Sequence, residues 1–467
     1  KIMSVPKQKF AADAKKIAFD ERHRQVIKFN ISKYDAAVTK GFARYRDLTA
    51  ARECAGKIKR EVLAHWGYYL REFEANITSR GVQVLWAKDT QEAIGYVKDI
   101  LVNADAKLLV KSKSMTTEEI ELNDRAKEIG CEAVETDLGE FIVQVAGEKP
   151  YHIVTPAMHK SKGDIAKLFN EKFGTPIEST PEELTAYVRG VLRKKFTTAD
   201  VGVTGANFLI ADIGGISVTE NEGNGCMSMA FPKTHIVIAG IEKIIPQMEQ
   251  LGLFYPLLAT HGTGQQMTVY NSIVTAPKQA DEANGPQKMY VILLDNGRTD
   301  VYADVEARES LACIRCGACL NGCPVYKTIG GYTYAATYSG PIGSVITPFY
   351  KGFKEYGHLS FASSLCGKCA EGCPVRIPLT DILLANRRKM VERRYRPCIE
   401  KGVMTGFRMI ASKRAYLDFF PSCIKNMAVY PLNYFGWGNK RKMSIFTDRS
   451  FSSHYTKKKS KKTVENI

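Results

Sequence analysis

The sequence of 467 residues has no long uninterrupted apolar run. Its two richest stretches, 236–247 and 415–438, are broken by charged residues such as Glu242, Lys243 and Lys425 and by prolines. A membrane-spanning helix needs about 18 to 20 consecutive apolar residues. Residues 1–10 also lack a basic segment followed by an apolar core, which argues against a secretory signal. These absences predict a soluble protein of the cytoplasm.

Nucleotide-binding motifs are missing as well. Four glycines at 202, 205, 214 and 215 lie in a turn-rich segment between short β-type runs. The sequence GVTGAN at 202–207 is not a G-x-G-x-x-G fingerprint, however, and no P-loop occurs anywhere in the chain. We interpret these glycines as serving tight turns or close approach of the backbone.

Acidic residues are scarce at the C-terminal end. The whole chain has 66 Lys and Arg against 49 Asp and Glu, but residues 387–462 alone contain 20 basic residues and four acids. The rest of the chain is close to neutral, so no nucleic-acid partner is expected. Four arginines are expected on one helix: Arg387, Arg388, Arg393 and Arg394. There they either offset the negative charge of a bound metal group or dock an acidic partner. The lysines at 457–462 are available for a membrane surface, with a purely solvated tail as the alternative.

Composition excludes two further classes of protein. With 45% apolar and 25% charged residues, the chain is neither intrinsically disordered nor a coiled-coil rod. Its length allows two or three domains.

The cysteines carry the strongest signal. Seven of the twelve are clustered, and in a cytosolic chain clustered thiols indicate metal rather than disulfides. The first group has the spacing Cys-x2-Cys-x2-Cys-x3-Cys-Pro, the iron–sulfur run whose fourth cysteine ligates the other cluster. The spacing therefore predicts two [4Fe–4S] clusters that form an electron conduit. Cluster one takes Cys313, Cys316, Cys319 and Cys373, and cluster two takes Cys323, Cys366 and Cys369.

The second group is one ligand short, because Ser363 stands where a complete copy would have cysteine. A non-cysteine group, a distant cysteine such as Cys398 or Cys226, or an open iron completes cluster two. Structural zinc is the alternative for both groups, since Cys-x2-Cys pairs also bind zinc. The run of four cysteines ending in Cys-Pro is not a zinc-ribbon or zinc-finger pattern.

Periodicity divides the chain into four parts. Residues 1–78 show two or three amphipathic helices, and 79–305 alternate short β-type runs with helical ones, as in a largely parallel α/β domain. One of these predicted runs is YHIVT at 151–155. Residues 306–400 form the two-cluster module, in which the 42 residues between Cys323 and Cys366 read as loop. Residues 401–467 form a basic extension.

Candidate catalytic groups lie in the α/β part. The polar segment 220–224, with Glu220 and Glu222, follows a β-type run and is the first choice for a pocket, because open α/β sheets bind ligands at the carboxyl ends of strands. His152, His159 and His235 are acid–base candidates for a 2-hydroxy or 2-oxo acid. Lys111 and Lys113 are placed to pair with a carboxylate, with solvated or structural roles as the alternative for each residue.

Several long segments resemble one family. The chain resembles lactate utilisation protein B, an iron–sulfur subunit of an L-lactate oxidising system. The resemblance rests on KSKSMTTEEIELN at 111–123, VETDLGEFIVQVAGEKPYHIVTPAMH at 134–159, GVTGANFLIADIGGISVTENEGN at 202–224 and HIVIAGIEKIIP at 235–246. It implies an α/β lactate-utilisation domain akin to the CoA-transferase and sugar-phosphate isomerase folds. It also implies a helical ferredoxin-like two-cluster domain, similar to that of succinate dehydrogenase and heterodisulfide reductase subunits.

The same resemblance implies a function and partners. The protein is expected to act in oxidation of L-lactate to pyruvate, as one component of a dehydrogenase complex rather than a complete enzyme alone. The implied partners are a cysteine-rich redox subunit and a second lactate-utilisation-domain subunit. A quinone-linked acceptor and a peripheral membrane location are further expectations.

Other functions remain open from the residues. One alternative is an iron–sulfur subunit of a related 2-hydroxy-acid oxidase or heterodisulfide-reductase-like complex. Another is a zinc-stabilised protein whose basic end binds nucleic acid. A third is a CoA-transferase-like enzyme, for which only Glu220 and Glu222 are plausible catalytic carboxylates.

Overall fold

The computed structural model describes residues 5–396, 398–431, 433–434, 444–448, 451 and 455. The described residues fall into two compact units, one within residues 2–392 and one within residues 393–467. The first unit holds the α/β part and all seven clustered cysteines.

Four helices precede the first strand, where the sequence predicts two or three. They are α1 (Val5–Ala18), α2 (Glu21–Phe42), α3 (Leu48–Ala64) and α4 (Trp66–Thr78). The Asp20 carboxylate accepts the His23 N–H and caps α2, while Asp47 caps α3 through the Ala50 N–H. The buried faces of these helices, including Ile27 and Phe73, belong to one apolar core shared with the small sheet and the cysteine module.

A six-stranded parallel sheet forms the centre of the α/β part. Its strands are β1 (Gln83–Ala87), β2 (Leu108–Lys111), β3 (Glu132–Glu135), β4 (Val201–Thr204), β7 (Thr234–Gly240) and β10 (Lys288–Leu294). Their order is β1-β10-β7-β4-β2-β3, and all neighbours are parallel. Every residue of β7 is buried; Ile236 and Ile238 enter one core and Val237 and Ala239 another, as the two faces of a covered strand require.

A smaller four-stranded sheet lies in the same unit. It contains β5 (Phe208–Ile210), β6 (Gly215–Glu220), β8 (Ile244–Ile245) and β9 (Tyr270–Val274), in the order β8-β5-β6-β9. β6 is antiparallel to both of its neighbours, whereas β5 and β8 are parallel.

Helices connect the strands, and one more follows β10. They are α5 (Thr90–Asn103), α6 (Met115–Glu119), α7 (Leu122–Glu128), α8 (Leu138–Val145), α9 (Lys162–Phe173), α10 (Pro181–Thr198), α11 (Asn224–Ala230), α12 (Leu251–Thr263) and α13 (Arg298–Ala303). Ser161 with Asp164 and Thr180 with Glu183 form reciprocal capping boxes at the starts of α9 and α10.

The cysteine module is mostly helical. Its elements are α14 (Ala318–Gly322), α15 (Pro324–Ile329), α16 (Gly340–Lys351), α17 (Phe353–Tyr356), α18 (Lys368–Glu371) and α19 (Leu379–Glu392). The prediction of loop between Cys323 and Cys366 is therefore wrong. The segment is rich in Gly and Tyr, but α16 is buried over most of its length, and tertiary packing rather than propensity stabilises it.

Two other sequence predictions need correction. Residues 151–155 form no strand, because they turn back on themselves: the Tyr151 N–H donates to the Pro156 carbonyl oxygen at 2.9 Å. Gly202 lies inside β4 rather than in a turn, but it does serve close approach of the backbone, because a side chain at this position would collide with the Ser228 carbonyl of α11.

The second unit contains α20 (Cys398–Ala411), α21 (Arg414–Phe419) and α22 (Ser422–Pro431). In the described part of the chain, no helix is both long and apolar enough to cross a membrane. α19 ends at Glu392, so Arg393 and Arg394 follow the helix rather than lie on it, which corrects the prediction for these two arginines. The lysines at 457–462 fall outside the described residues.

Candidate metal centre and adjoining cavity

The first cysteine group consists of an irregular segment at 313–317, the short helix α14 and Cys323 directly after it. Arg315 and Gly317 adopt left-handed backbone angles, with φ of 61° and 81°. This conformation lets the Arg315 N–H donate to Cys313 Sγ at 3.4 Å. Amide donors to sulfur are typical of iron–sulfur sites, because they stabilise the thiolate charge.

Four cysteines from both groups line one cavity, which we call the thiol cavity: Cys313, Cys316, Cys319 and Cys373. The rest of its lining is mainly apolar and includes Ile153 and Ile342. Burial, together with the neighbouring thiol of Cys313, raises the pKa of Cys316 above its ordinary range, and burial raises the pKa of Cys373 to about 11. Cys316 and Cys373 are therefore neutral thiols without metal, and binding of a metal group would release their protons. A dry enclosure with four thiols fits a [4Fe–4S] cluster.

The other three clustered cysteines also lie near one another. Cys323 and Cys369 are buried, and Cys366 is exposed. Burial, followed by the nearby Cys323 thiol, raises the pKa of Cys369 to about 11. For Cys366, the hydrogen bond from the Lys368 N–H is the main cause of a pKa below the ordinary thiol value. The structure thus brings these three thiols together, with one of them facing solvent.

The two distant cysteines are not equivalent candidates for the missing ligand. Cys226 Sγ lies 3.1 Å from Ser272 Oγ, and the Cys226 N–H donates to Glu220, so this thiol is engaged in the α/β part. The side chain of Cys398 is outside the described residues.

A single-ion site is not evident in the described ranges. Across these residues, no three His, Cys, Asp or Glu side chains are gathered so that they could hold one metal ion. The four thiols of the thiol cavity instead surround a space, as the corners of a four-iron cube require.

Helix α3, one of the N-terminal helices, contacts the second cysteine group. Arg52 of α3 donates to the Cys373 carbonyl oxygen through Nε at 3.0 Å and also bonds the Glu371 carbonyl. A side chain at Gly56 would come within 2.7 Å of the Val375 carbonyl oxygen. α3 therefore packs directly on the loop that supplies Cys373.

A buried charge network lies beside the first group. Arg298 is fully buried, and it binds both oxygens of Glu119 at 3.0 Å and Glu242 Oε2 at 2.5 Å. Arg315 binds the other oxygen of Glu242 at 3.2 Å. Tyr338 donates to Glu119 at 2.6 Å. Burial alone would raise the pKa of Glu242, but the two arginines outweigh it and hold this pKa below its usual range.

A second, larger cavity adjoins the first cysteine group. Its volume is about 380 Å³, and we call it the strand-end cavity. Its lining comes from segments that follow β2, β3, β4 and β7, from the end of β6, from α12, and from Arg315, Cys316 and Tyr338. The carboxyl ends of parallel strands thus meet the cysteine loop, and Cys316 lines both cavities.

The structure places both predicted glutamates in the lining of the strand-end cavity. The argument for them needs correction, because β6 belongs to the small sheet and not to the parallel one. Glu220 accepts the N–H groups of Gly225 and Cys226, and Glu222 accepts that of Leu138. Burial, with the nearby Asp137 carboxylate, raises the pKa of Glu222.

The three histidines are not brought together. His152 accepts the Val154 and Thr155 N–H groups through Nδ1, and burial lowers its pKa to about 3. His159 lies 2.7 Å from Glu148. His235 is buried in the sheet, 2.9 Å from Thr204 Oγ1. None of them lines the strand-end cavity.

The two lysines have different positions. Lys111 is completely buried against Glu118, Glu135 and Glu140; burial would lower its pKa, but these carboxylates outweigh that effect and raise it. Lys113 lines the strand-end cavity and pairs with Asp137 at 3.0 Å. Sequence reasoning missed Lys243 and Arg315, which line the same cavity. Both residues lie far from 220–224 in the sequence, so no local pattern indicated that they would share a cavity with that segment.

Burial of His235 should make stability depend on pH. Burial lowers the pKa of His235 to about 4, against an ordinary value of 6.5, so the unfolded chain binds one more proton between these values. Stability should fall as pH falls through this window. We expect the melting temperature of the wild type to drop more steeply from pH 7 to 5 than that of His235→Gln. The exposed His65→Gln is the control and should follow the wild type; parallel curves for all three proteins would contradict the prediction.

Exposure of Cys366 should make the second cluster the more labile one. Oxygen and chelators reach an exposed ligand first, and this group also lacks a fourth cysteine. We expect brief exposure to air to remove the second cluster's electron paramagnetic resonance signal before the first. Simultaneous decay of the two signals would show that the prediction is wrong.

Fold and site together define the class of protein. It is an α/β protein whose strand ends face a dicluster iron–sulfur module. The comparisons agree: a LUD domain matches residues 70–294, and a 4Fe-4S dicluster domain matches residues 309–377. The protein accordingly carries two [4Fe–4S] clusters as cofactors.

Related proteins define the family. The chain is 43% identical over 390 residues to "Lactate utilization protein B" of Bacillus cytotoxicus, covering 83% of this chain and 81% of that protein. It is 44% identical over 370 residues to the protein of the same name from Bacillus pumilus, covering 79% of this chain and 78% of the other. The chain belongs to the lactate utilization protein B family. A crystal structure of a DUF162 family protein from Deinococcus radiodurans aligns with a TM-score of 0.29 at 14% identity, covering 49% of this chain and 98% of that one.

Proposed function

We propose that this protein is the iron–sulfur electron-transfer subunit of a multi-subunit system that oxidises L-lactate to pyruvate. The names of the related proteins support lactate utilisation, and the dicluster domain supports electron transfer. The observation that carries the proposal is the grouping of four cysteines from two distant segments around one cavity.

The two clusters are proposed to share the two loops. Cluster one is held by Cys313, Cys316, Cys319 and Cys373, and cluster two by Cys323, Cys366 and Cys369. Each loop then supplies its last cysteine to the other loop's cluster, which keeps the two clusters close to one another. When bound, such clusters accept and donate single electrons.

The chain's own residues prepare these sites. Apolar side chains such as Ile342 and Leu379 exclude water from the thiol cavity. The Arg315, Tyr326 and Ile377 N–H groups donate to the sulfurs of Cys313, Cys323 and Cys373. The charge of Arg315 lies beside Cys313, where it offsets thiolate charge.

The finer architecture is part of the same proposal. We divide the chain into helices 1–78, an α/β lactate-utilisation domain 79–305 akin to the CoA-transferase fold, a two-cluster domain 306–400 and an extension 401–467. The partners are a cysteine-rich redox subunit and a second lactate-utilisation-domain subunit. A quinone-linked acceptor at the membrane surface would receive the electrons.

Anaerobic co-purification with the two partners tests this function. The complex should reduce an artificial acceptor dye when given L-lactate. The same complex with Cys366→Ala should still assemble but lose most of that reduction, because the relay is cut. Full activity of the partners without this chain would overturn the proposal. Faster turnover of another 2-hydroxy acid would overturn the choice of lactate.

A further inference from the structure

Two cations of the strand-end cavity lack full partners. Lys243 is 8% exposed and lines the cavity; among the described residues Glu242 and the Cys313 thiol favour its charge, but neither forms a hydrogen bond or ion pair with its ammonium group. Arg315 uses Nη2 for Glu242 and lies 4.4 Å over the Tyr338 ring, but its Nη1 is buried with no acceptor. A buried cation without an acceptor is costly, so this corner of the cavity favours an anion.

The nearby acids do not supply that anion. Glu242 is already shared between Arg298 and Arg315. Cluster one would neutralise part of the charge, and Arg315 lines its cavity. Lys243 is close enough to Cys313 for that thiol to favour its charge, but its side chain lines the strand-end cavity and not the thiol cavity. An anionic ligand in the strand-end cavity is therefore the group that would contact the Lys243 ammonium directly.

The remaining lining limits the chemistry of this ligand. Asp137, Glu220 and Glu222 share the cavity, so a multiply charged phosphate would meet repulsion there. A compact monocarboxylate carries a single negative charge and meets less of this repulsion. A hydroxyl group on it can donate to a carboxylate oxygen, which favours a hydroxy acid.

We propose that the strand-end cavity binds a small hydroxycarboxylate, with its carboxylate on Lys243 and Arg315, beside Cys316. The choice of L-lactate as the acid rests on the proposed function, whereas the charge argument does not. The site would place an organic acid against the loop that holds the first cluster.

Equilibrium dialysis of labelled L-lactate against the anaerobic full-length holoprotein tests this proposal. Lys243→Met should weaken binding about tenfold or more, the loss of one charged contact. Lys288→Met is the matched control, because Lys288 is exposed and outside the cavity, and it should bind like the wild type. Iron content of all three proteins is measured to show that the clusters are intact. As a second readout, L-lactate should shift the resonance of reduced cluster one.

Each outcome decides the proposal. Equal binding by both variants, or no binding by an iron-replete wild type, would overturn the site while leaving the relay function to the dye assay. Inorganic phosphate binding as tightly as L-lactate would overturn the carboxylate class.

A second inference concerns the missing ligand of cluster two. The two cysteine groups have the same backbone conformation at an offset of 50 residues. Arg315 and Leu365 both have left-handed φ, of 61° and 55°, and so do Gly317 and Gly367, of 81° and 85°. This agreement extends the repeat beyond the cysteines themselves.

Hydrogen bonds repeat at the same offset. The Arg315 N–H donates to Cys313 Sγ, and the Leu365 N–H donates to Ser363 Oγ at 3.1 Å. Cys323 N bonds the Leu320 carbonyl at 3.1 Å, and Cys373 N bonds the Ala370 carbonyl at 3.2 Å. The Ser363 hydroxyl thus occupies the position in its loop that the Cys313 thiol occupies in the first.

We infer that Ser363 is the fourth ligand of cluster two. If cluster two is bound, the Ser363 hydroxyl would give its proton to water and its oxygen would bind the iron in place of a thiolate. The hydrogen bond from the Leu365 N–H then stabilises the alkoxide, as the Arg315 N–H stabilises the Cys313 thiolate.

Mössbauer spectra of the iron-57-loaded holoprotein test this ligand. The wild type should show one iron site with the spectrum of oxygen ligation. Ser363→Cys should convert it to a thiolate site, and Ser363→Ala should yield a [3Fe–4S] signal after mild oxidation. Ser364→Ala is the matched control and should resemble the wild type. A wild-type spectrum without an oxygen-ligated iron, or one unchanged in Ser363→Ala, would overturn the inference.

Discussion

Replacing Cys316 by alanine should remove one of the two clusters and halve the iron and acid-labile sulfide of the protein. Cys316 is buried at the wall between the thiol cavity and the strand-end cavity, and the other thiols that line these two cavities, Cys313, Cys319 and Cys373, are already assigned to cluster one. Iron left open there would face the larger cavity and be lost. Metal analysis and low-temperature electron paramagnetic resonance of the anaerobically purified variant check this expectation.

The control for this variant is Cys54→Ala. Cys54 is exposed and outside both cysteine groups, so its loss should leave the iron content unchanged. A Cys316→Ala protein with both resonance signals at full intensity would show that Cys316 is not a ligand.

Replacing Arg298 by methionine should destabilise the protein by about 3 to 5 kcal/mol. The variant leaves Glu119 and Glu242 buried, each having lost a partner at 3.0 Å or less. Removal of one member of a buried ion pair is among the costliest single changes, because the remaining charge stays out of water. Urea unfolding under anaerobic conditions, followed by circular dichroism, measures the difference.

Arg388→Met is the matched control. Arg388 forms an ion pair with Glu306, but the arginine side chain is 56% exposed, so its loss should cost less than about 1 kcal/mol. Similar unfolding midpoints for the two variants would contradict a structural role for the buried network.

Local sequence patterns predicted most strands of the parallel sheet and the helices between them. Alternating apolar runs predicted β1, β2, β3, β7 and β10 and the helices between them, because a sheet covered on both faces leaves continuous buried strands in the sequence. The four cysteines that the spacing assigns to cluster one line one cavity. The sequence predicted neither β4, in which Gly202 is required by packing, nor α16, whose Gly and Pro content resembles a loop.

The strand-end cavity was only partly foreseeable. Residues 220–224 were chosen for following a strand, and Glu220 and Glu222 do line the cavity, although their strand is in the other sheet. Lys243 and Arg315 come from segments about 70 residues apart, and no periodic pattern connects them. Their meeting depends on the parallel order β7-β4-β2 and on the cysteine loop packing at the strand ends.

Electron delivery from L-lactate to this chain tests the central claim most directly. The anaerobic complex with its two partners is mixed with L-lactate, frozen at intervals and examined by electron paramagnetic resonance. The account predicts that the signals of both reduced clusters of this chain appear within the turnover time of the complex. It also predicts that the Cys366→Ala complex reduces cluster one only. Clusters that stay oxidised while pyruvate accumulates would contradict the account.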